Sequence, residues 1–385
     1  MDFRTDKLLH GGDYNPEQWL KRPDILEKDI DMLEESGCNV VSLGIFSWST
    51  LEPEEGIYDF EWLDRAVALA GKYGLKVIMC TPSPTPPVWL SKKYPDILIR
   101  RDNGVNIQHG RRQHASWSSE RYCDFVKNIV TKLAERYGKN PTVIGWQIDN
   151  EPGHYGLVDY SENAQQKFRL WLRRKYKTID QLNATWGNTF WSESYQHFDQ
   201  IRLPNQQELP EKPNPHAMLD MNRFMADELA GFVNMQADVL HKNISEKQWI
   251  TTNLIPVFNP VDPVRMDHLD FTTYTRYLVT GHKMGIGKQG FRLGIPEDIG
   301  FPNDQFRNFA GKTFGVMELQ PGQVNWGVYN PQPMPGAVRM WIYHVFAGGG
   351  KFVCNYRFRQ PLKGSEQYHY GMVMTDGVTL SPGGE

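Results

Sequence analysis

Two glutamates carry the clearest chemistry in this chain. The run Gly145-Trp146-Gln147-Ile148-Asp149-Asn150-Glu151-Pro152 reads as an apolar strand that ends in an amide, a carboxylate and a proline. Phe314-Gly315-Val316-Met317-Glu318-Leu319-Gln320-Pro321-Gly322 repeats the pattern, a short apolar run closing on a glutamate and a proline-containing turn. Either residue alone could do no more than bind an arginine or cap the next helix. As a pair they share a strand–glutamate–turn context, and each is near a tryptophan, Trp146 or Trp326. Two such carboxylates suit glycoside hydrolysis. One protonates the leaving oxygen and later activates water, and the other, about 5–5.5 Å away in retaining enzymes, attacks the anomeric carbon.

Residues this far apart in sequence meet only if the elements between them bring two strand ends together. Hydrophobic periodicity predicts strands near 8–13, 39–46, 75–81, 143–150, 249–255, 269–276, 314–319 and 352–358. Helical spacing predicts helices over Arg22–Ser36, Trp62–Tyr73, Ser119–Tyr137, Glu162–Tyr176, around Met221–Phe232, over Asn303–Lys312 and over Pro335–Ala347. Strict strand–helix alternation implies a parallel sheet, and eight strands imply an α/β fold of the (β/α)8 TIM-barrel type. Active sites of such barrels lie at the carboxyl ends of the strands, which is where Glu151 and Glu318 fall. Stretches 82–118 and 177–216 read as long active-site loops that would shape a blind pocket rather than an open cleft.

Composition narrows the partners. With 40% hydrophobic and 23% charged residues the chain can bury a large core, and a net charge of −3 without long like-charge runs offers nucleic acid and acidic membranes no broad basic field. A neutral small carbohydrate is the expected substrate, and 12% aromatic residues supply rings to stack on sugar faces. Cys38, Cys80, Cys123 and Cys354 stand singly, so neither a disulfide framework nor a C-x-x-C zinc site is expected, and no metal or cofactor is implied. The start of the chain lacks an apolar leader and no stretch nears 18 apolar residues, so the expected compartment is the cytoplasm, or the periplasm or exterior had a signal peptide been removed.

Five motifs in order add a family resemblance: His10-Gly-Gly-Asp-Tyr-Asn-Pro-Glu-Gln-Trp19, Asn150-Glu151, Leu182-Asn-Ala-Thr-Trp-Gly-Asn-Thr-Phe-Trp191, Met317-Glu-Leu-Gln-Pro-Gly-Gln-Val-Asn-Trp326 and Glu366-Gln-Tyr-His-Tyr-Gly371. The chain resembles the catalytic barrel of a glycoside hydrolase family 42 β-galactosidase. The resemblance implies Glu151 as acid/base and Glu318 as nucleophile of a retaining, exo-acting enzyme. It implies Asn150 at the sugar 2-hydroxyl, Arg111 at ring hydroxyls, Tyr274 orienting the nucleophile, Trp326 as a stacking wall, and Trp191, Glu366 and His369 on the far hydroxyls. It also implies that residues 1–385 are one catalytic domain at the N-terminal part of a longer polypeptide, and a homo-oligomer, since relatives form trimers.

The chain departs from the family in places. Some members carry a cysteine cluster where this chain has His114-Ala-Ser116 and His154-Tyr-Gly156; Pro152 stands where an aromatic is common, and Leu319 where Gln is common. The last two neighbour the glutamates, so an α-L-arabinopyranosidase remains an alternative, as does a non-catalytic sugar-binding barrel.

Overall fold

A computed structural model describes residues 7–385 apart from 257, 259, 281–289, 310, 312 and 328. Short β-branched and apolar runs form the strands: β1 (Leu9–Tyr14), β2 (Val40–Leu43), β3 (Lys76–Cys80), β4 (Val143–Gln147), β5 (Trp249–Thr251), β6 (Asn253–Leu254), β7 (Thr272–Arg276), β8 (Phe314–Leu319) and β9 (Phe352–Asn355). All pair in parallel in the order β5-β4-β3-β2-β1-β9-β8-β7-β6. The two ends of that order are halves of one stave interrupted at Thr252. β5 pairs with β4 through Gly145↔Trp249 and β6 pairs with β7 through Asn253↔Thr273, while Thr252 itself accepts from the Thr273 amide. Eight staves thus close a barrel, the architecture expected from the alternation.

Helices cover the staves from outside: α1 (Pro23–Glu35), α2 (Trp48–Leu51), α3 (Glu61–Lys72), α4 (Val88–Lys93), α5 (Glu120–Tyr137), α6 (Glu162–Tyr176), α7 (Ile179–Trp186), α8 (Pro215–Asn243), α9 (Glu297–Arg307) and α10 (Ala337–Ala347). α5 shows why they form where they do. The Ser119 hydroxyl accepts from the Tyr122 amide at the first turn, and Val126, Ile129, Val130, Leu133 and Ala134 make one buried stripe. Tyr122 then stacks on Phe232 of α8, with ring centroids 5.5 Å apart.

Three expectations change in detail. The stretch 82–118 carries α4 and a 3-10 turn at Pro95–Ile97, and 177–216 carries α7. The helix expected over Asn303–Lys312 begins earlier, at Glu297, with Pro302 inside it; Lys312 lies outside the described residues. Proline and glycine masked its first turns in the sequence pattern, but acidic Glu297 and Asp298 at its start favour the helix dipole.

Candidate active site

β4 delivers Glu151 through a sharp turn. Asp149 and Glu151 both sit at left-handed backbone angles, φ +52° and +49°, and Gly153 at +74° completes the reversal. Such conformations are costly for side chains other than glycine and persist where the surroundings hold them. Here the holders are visible. Asp149 Oδ1 accepts from the Asn150 amide (2.7 Å), the Asp149 amide donates to Thr81 Oγ1 (2.9 Å), and Gln113 Nε2 donates to the Asn150 and Glu151 carbonyls (2.6 and 2.8 Å). Glu318 needs no such turn: it is the penultimate residue of β8, and the irregularity at Met317, where Tyr274 pairs with Val316 and Thr275 with Glu318, resets the alternation so that Glu318 faces the interior as Met317 does.

Both glutamates are buried, and they share partners. Asn253 spans them, donating from Nδ2 to Glu318 Oε1 (3.1 Å) and accepting at Oδ1 from the Glu151 amide (3.2 Å). The Asn150 amide lies between Arg112 Nη1 (2.6 Å) and Glu318 Oε1 (2.7 Å), so its oxygen faces the guanidinium and its nitrogen the carboxylate. Tyr277 donates its hydroxyl to Glu318 Oε2 (2.8 Å). Glu151 Oε2 lies 3.0 Å from Arg112 Nη1 and 2.9 Å from His154 Nδ1. Glu318 therefore meets three neutral donors, whereas Glu151 meets a guanidinium and an imidazole.

The electrostatics follow from those partners. Burial, and then the negative charge of Glu151, push the Glu318 carboxyl well above the ordinary carboxylate range. Burial acts on Glu151 in the same sense, but Arg112 and then His154 outweigh it and hold that carboxyl below its usual value. The surroundings of the two glutamates thus favour the charged form on Glu151 more than on Glu318.

A band of aromatic rings flanks the pair. Trp326 meets Tyr277 edge-on (centroids 5.3 Å), Tyr277 meets His369 (5.8 Å), His369 meets Tyr356 (5.5 Å) and Tyr356 meets Phe46 (6.3 Å). His369 donates Nε2–H to the Tyr356 carbonyl (3.1 Å), which leaves its buried Nδ1 as an acceptor. Half-buried Glu366 accepts the Tyr356 hydroxyl (2.6 Å).

Set against the sequence expectations, the structure gathers Glu151, Glu318, Asn150, Trp326, Glu366 and His369 around one site. It places three others elsewhere. Arg111 is exposed, and the arginine among the carboxylates is Arg112. The cause is local: Gln113 is pinned to the Glu151 turn, and the Arg111 carbonyl accepts from His114 Nδ1 (3.1 Å), so the chain folds back with residue 112 over the acid. Tyr274 is a core residue, its hydroxyl on Asn303 Oδ1 (2.7 Å) and its ring stacked on Phe314; Tyr277 takes the expected place at the nucleophile. Trp191 is 71% exposed and packs on Phe190, apart from the carboxylate cluster.

Sequence reasoning also passed over Asn253 and His154. The polar run Thr251-Thr252-Asn253 inside a buried strand was the available signal for the first. Nothing local marked the second. Among the described residues no group of three or more His, Cys, Asp or Glu side chains is placed to hold a metal ion.

The family model described as Beta-galactosidase, that of glycoside hydrolase family 42, matches residues 13–384. The chain belongs to that family. It is 36% identical over 371 residues to the β-galactosidase Bga of Halorubrum lacusprofundi, covering 94% of this chain and 52% of that protein. To the β-galactosidase BgaA of a Thermus species it is 37% identical over 376 residues, covering 95% and 57%. Among solved structures, the β-galactosidase of the psychrophile Marinomonas ef1 superposes with a TM-score of 0.92 at 35% identity, over 98% of this chain and 58% of that one. The chain therefore spans little more than half the length of these family 42 relatives. Within that span the fold agrees with that of the Marinomonas enzyme.

Proposed function

We propose that the chain is the catalytic barrel of a retaining β-galactosidase, releasing terminal β-D-galactosyl residues with Glu318 as nucleophile and Glu151 as acid/base. The observation that carries this is the buried Glu151–Glu318 pair at the carboxyl ends of β4 and β8, joined through Asn253 and Asn150. Glu318 Oε attacks the anomeric carbon while the glycosidic C–O bond breaks and Glu151 protonates the departing oxygen. Glu151, now ionised, takes a proton from water as that water displaces Glu318 from the same carbon. Two inversions give net retention.

Turnover needs the proton on Glu151, the reverse of the resting preference. A sugar whose hydroxyls take over the hydrogen bonds of Arg112 would lift the cation's hold on Glu151 and leave Glu318 with the Tyr277, Asn253 and Asn150 donors, which favour its ionised form. Trp326 and its neighbouring rings offer a stacking face, and His369 Nδ1 and Glu366 offer acceptors for hydroxyls. Cytoplasmic residence is supported by four free cysteines; no helix among the described residues is long and apolar enough to cross a membrane. Self-association, suggested by resemblance, is a further part of this reading.

Azide separates the two roles. Glu318→Ala is expected to abolish turnover of every aryl β-galactoside, with azide yielding the inverted α-galactosyl azide. Glu151→Ala is expected to form the galactosyl-enzyme from an activated aryl galactoside, stall, and yield the β-azide, while poorly activated substrates lose far more rate because acid assistance matters most for basic leaving groups. Swapped azide products would reverse the assignment. Absence of turnover in the unmutated protein on galactosides and arabinopyranosides alike would leave a sugar-binding barrel.

A further inference from the structure

The two glutamates reach the site from staves on opposite sides of the barrel, and one fully buried side chain touches the environment of both. Asn253 lies just past the Thr252 interruption, where the stave turns from pairing with β4 to pairing with β7. Every hydrogen-bonding capacity of its amide is used. Oδ1 accepts from Gln147 Nε2 (2.9 Å) and from the Glu151 amide (3.2 Å); Nδ2 faces Thr275 Oγ1 (2.9 Å), Glu318 Oε1 (3.1 Å) and the Asn150 side-chain amide (2.9 Å). Gln147 is itself oriented, since its Nε2 also donates to the Asp149 carbonyl (3.0 Å). Gln147 and the Glu151 amide supply only hydrogens, so the Asn253 oxygen must face them and its nitrogen must face Glu318. A flip would strand two buried donors.

We propose that Asn253 is a positioning residue for the reaction: its fixed amide ties the turn bearing Glu151 to the nucleophile and commits one hydrogen to Glu318 in its ionised form. The inference rests on Glu318 being the nucleophile. Asn253 acts from beneath the pair, through Glu318 and the Glu151 backbone, so its contribution belongs to the poise of the nucleophile and not to sugar affinity. The charged and titratable groups facing Glu318 are Glu151 from the end of β4, Arg112 from the loop after β3, Tyr277 after β7 and Asp13 on β1. The two carboxylates among them, Glu151 and Asp13, disfavour a further negative charge, and Asn253 supplies a neutral donor where that charge must form.

Asn253→Asp is the discriminating variant. It keeps an acceptor for Gln147 and the Glu151 amide but puts a carboxyl where Glu318 now finds a donor. With [δ-13C]glutamate labelling, and the Glu318 resonance assigned by its loss in Glu318→Gln, the apparent titration of Glu318 is expected to rise by a pH unit or more in Asn253→Asp and by less in Asn253→Ala. For aryl β-galactosides the acid limb of kcat/KM is expected to move up equally, so rate falls at least tenfold on that limb while KM stays near its original value. A uniform loss at all pH values with an unmoved Glu318 resonance would reduce Asn253 to a structural residue and overturn the proposal. A shifted resonance in a protein that turns over no glycoside would uphold the role of Asn253 and overturn the function proposed above.

Discussion

At the amino ends of the staves Leu9, Val40, Ile78, Trp249, Phe271, Met317, Phe352 and Cys354 fill the barrel with an apolar plug, in which Trp249 stacks on Phe352 with centroids 5.4 Å apart. One to four residues further along the staves the interior holds Asp13, Ser42, Gln147, Asn253, Thr275 and Glu318, all buried and polar. The first region is held by shape. Gly145 and Gly315 exist there because a Cβ would lie 2.2 Å from the Trp249 ring and 2.4 Å from the Phe352 ring. The second is held by hydrogen bonds and charge, and it stores left-handed backbone at Asp149 and Glu151. The contrast teaches that rigidity of the apolar end is what permits strain and buried charge at the other.

The comparison breaks most visibly at Arg112. Arg112→Ala is expected to lower kcat/KM on aryl β-galactosides by about 10²–10³, the usual scale for removing one aligned charge-stabilising donor, whereas Arg111→Ala should stay within about twofold; steady-state kinetics on both variants decides which arginine serves the site. At the apolar end, Gly315→Ala should cost about 1–3 kcal/mol by overpacking against Phe352, read as a lowered denaturant midpoint with kcat little changed in the folded fraction.

The two tyrosines divide along the same line. Tyr277→Phe removes a donor from Glu318 and should reduce kcat about tenfold while sparing thermal stability. Tyr274→Phe strands Asn303 Oδ1 and should cost about 1–2 kcal/mol of stability while sparing kcat. An inverted outcome would place Tyr274 in the mechanism.

The smallest effect is spread over pH. Burial raises Asp13 and Asp149 to about 6 and Glu17 to about 7. Their unfolded values lie near 4, so between about pH 4 and 7 the folded state keeps protons that the unfolded chain releases. Stability from these groups is fully present below pH 4 and is lost as pH rises through 6–7, by at most about 1.4 kcal/mol per pH unit for each. Chemical denaturation between pH 5 and 8 should show this decline, and Asp13→Asn should flatten part of it.

Legibility followed locality. The staves were readable because a buried parallel strand is an apolar run whatever surrounds it, and Glu151 and Glu318 were readable because each ends such a run. Arg112 and Tyr277 were missed by one and three residues. Their neighbours Arg111 and Tyr274 have the same chemistry, and nothing in composition says which of two nearby positions faces the site. Asn253 was missed because the interruption at Thr252, which turns it to the site, appears only once β4 and β7 are both in place.

The sequence alone therefore determined the barrel, the order of its staves and the two carboxylates, since these depend on hydrophobic period and on residues at strand ends. Tertiary structure decided which side chains surround those carboxylates. A register shift between Tyr274 and Thr275 in the β7–β8 pairing accompanies the outward Tyr274, and Gln113 anchored on the Glu151 turn brings Arg112 over the acid. Facing direction in a loop or a bulged strand is set by hydrogen bonds to distant segments, and those partners exist only in the closed fold.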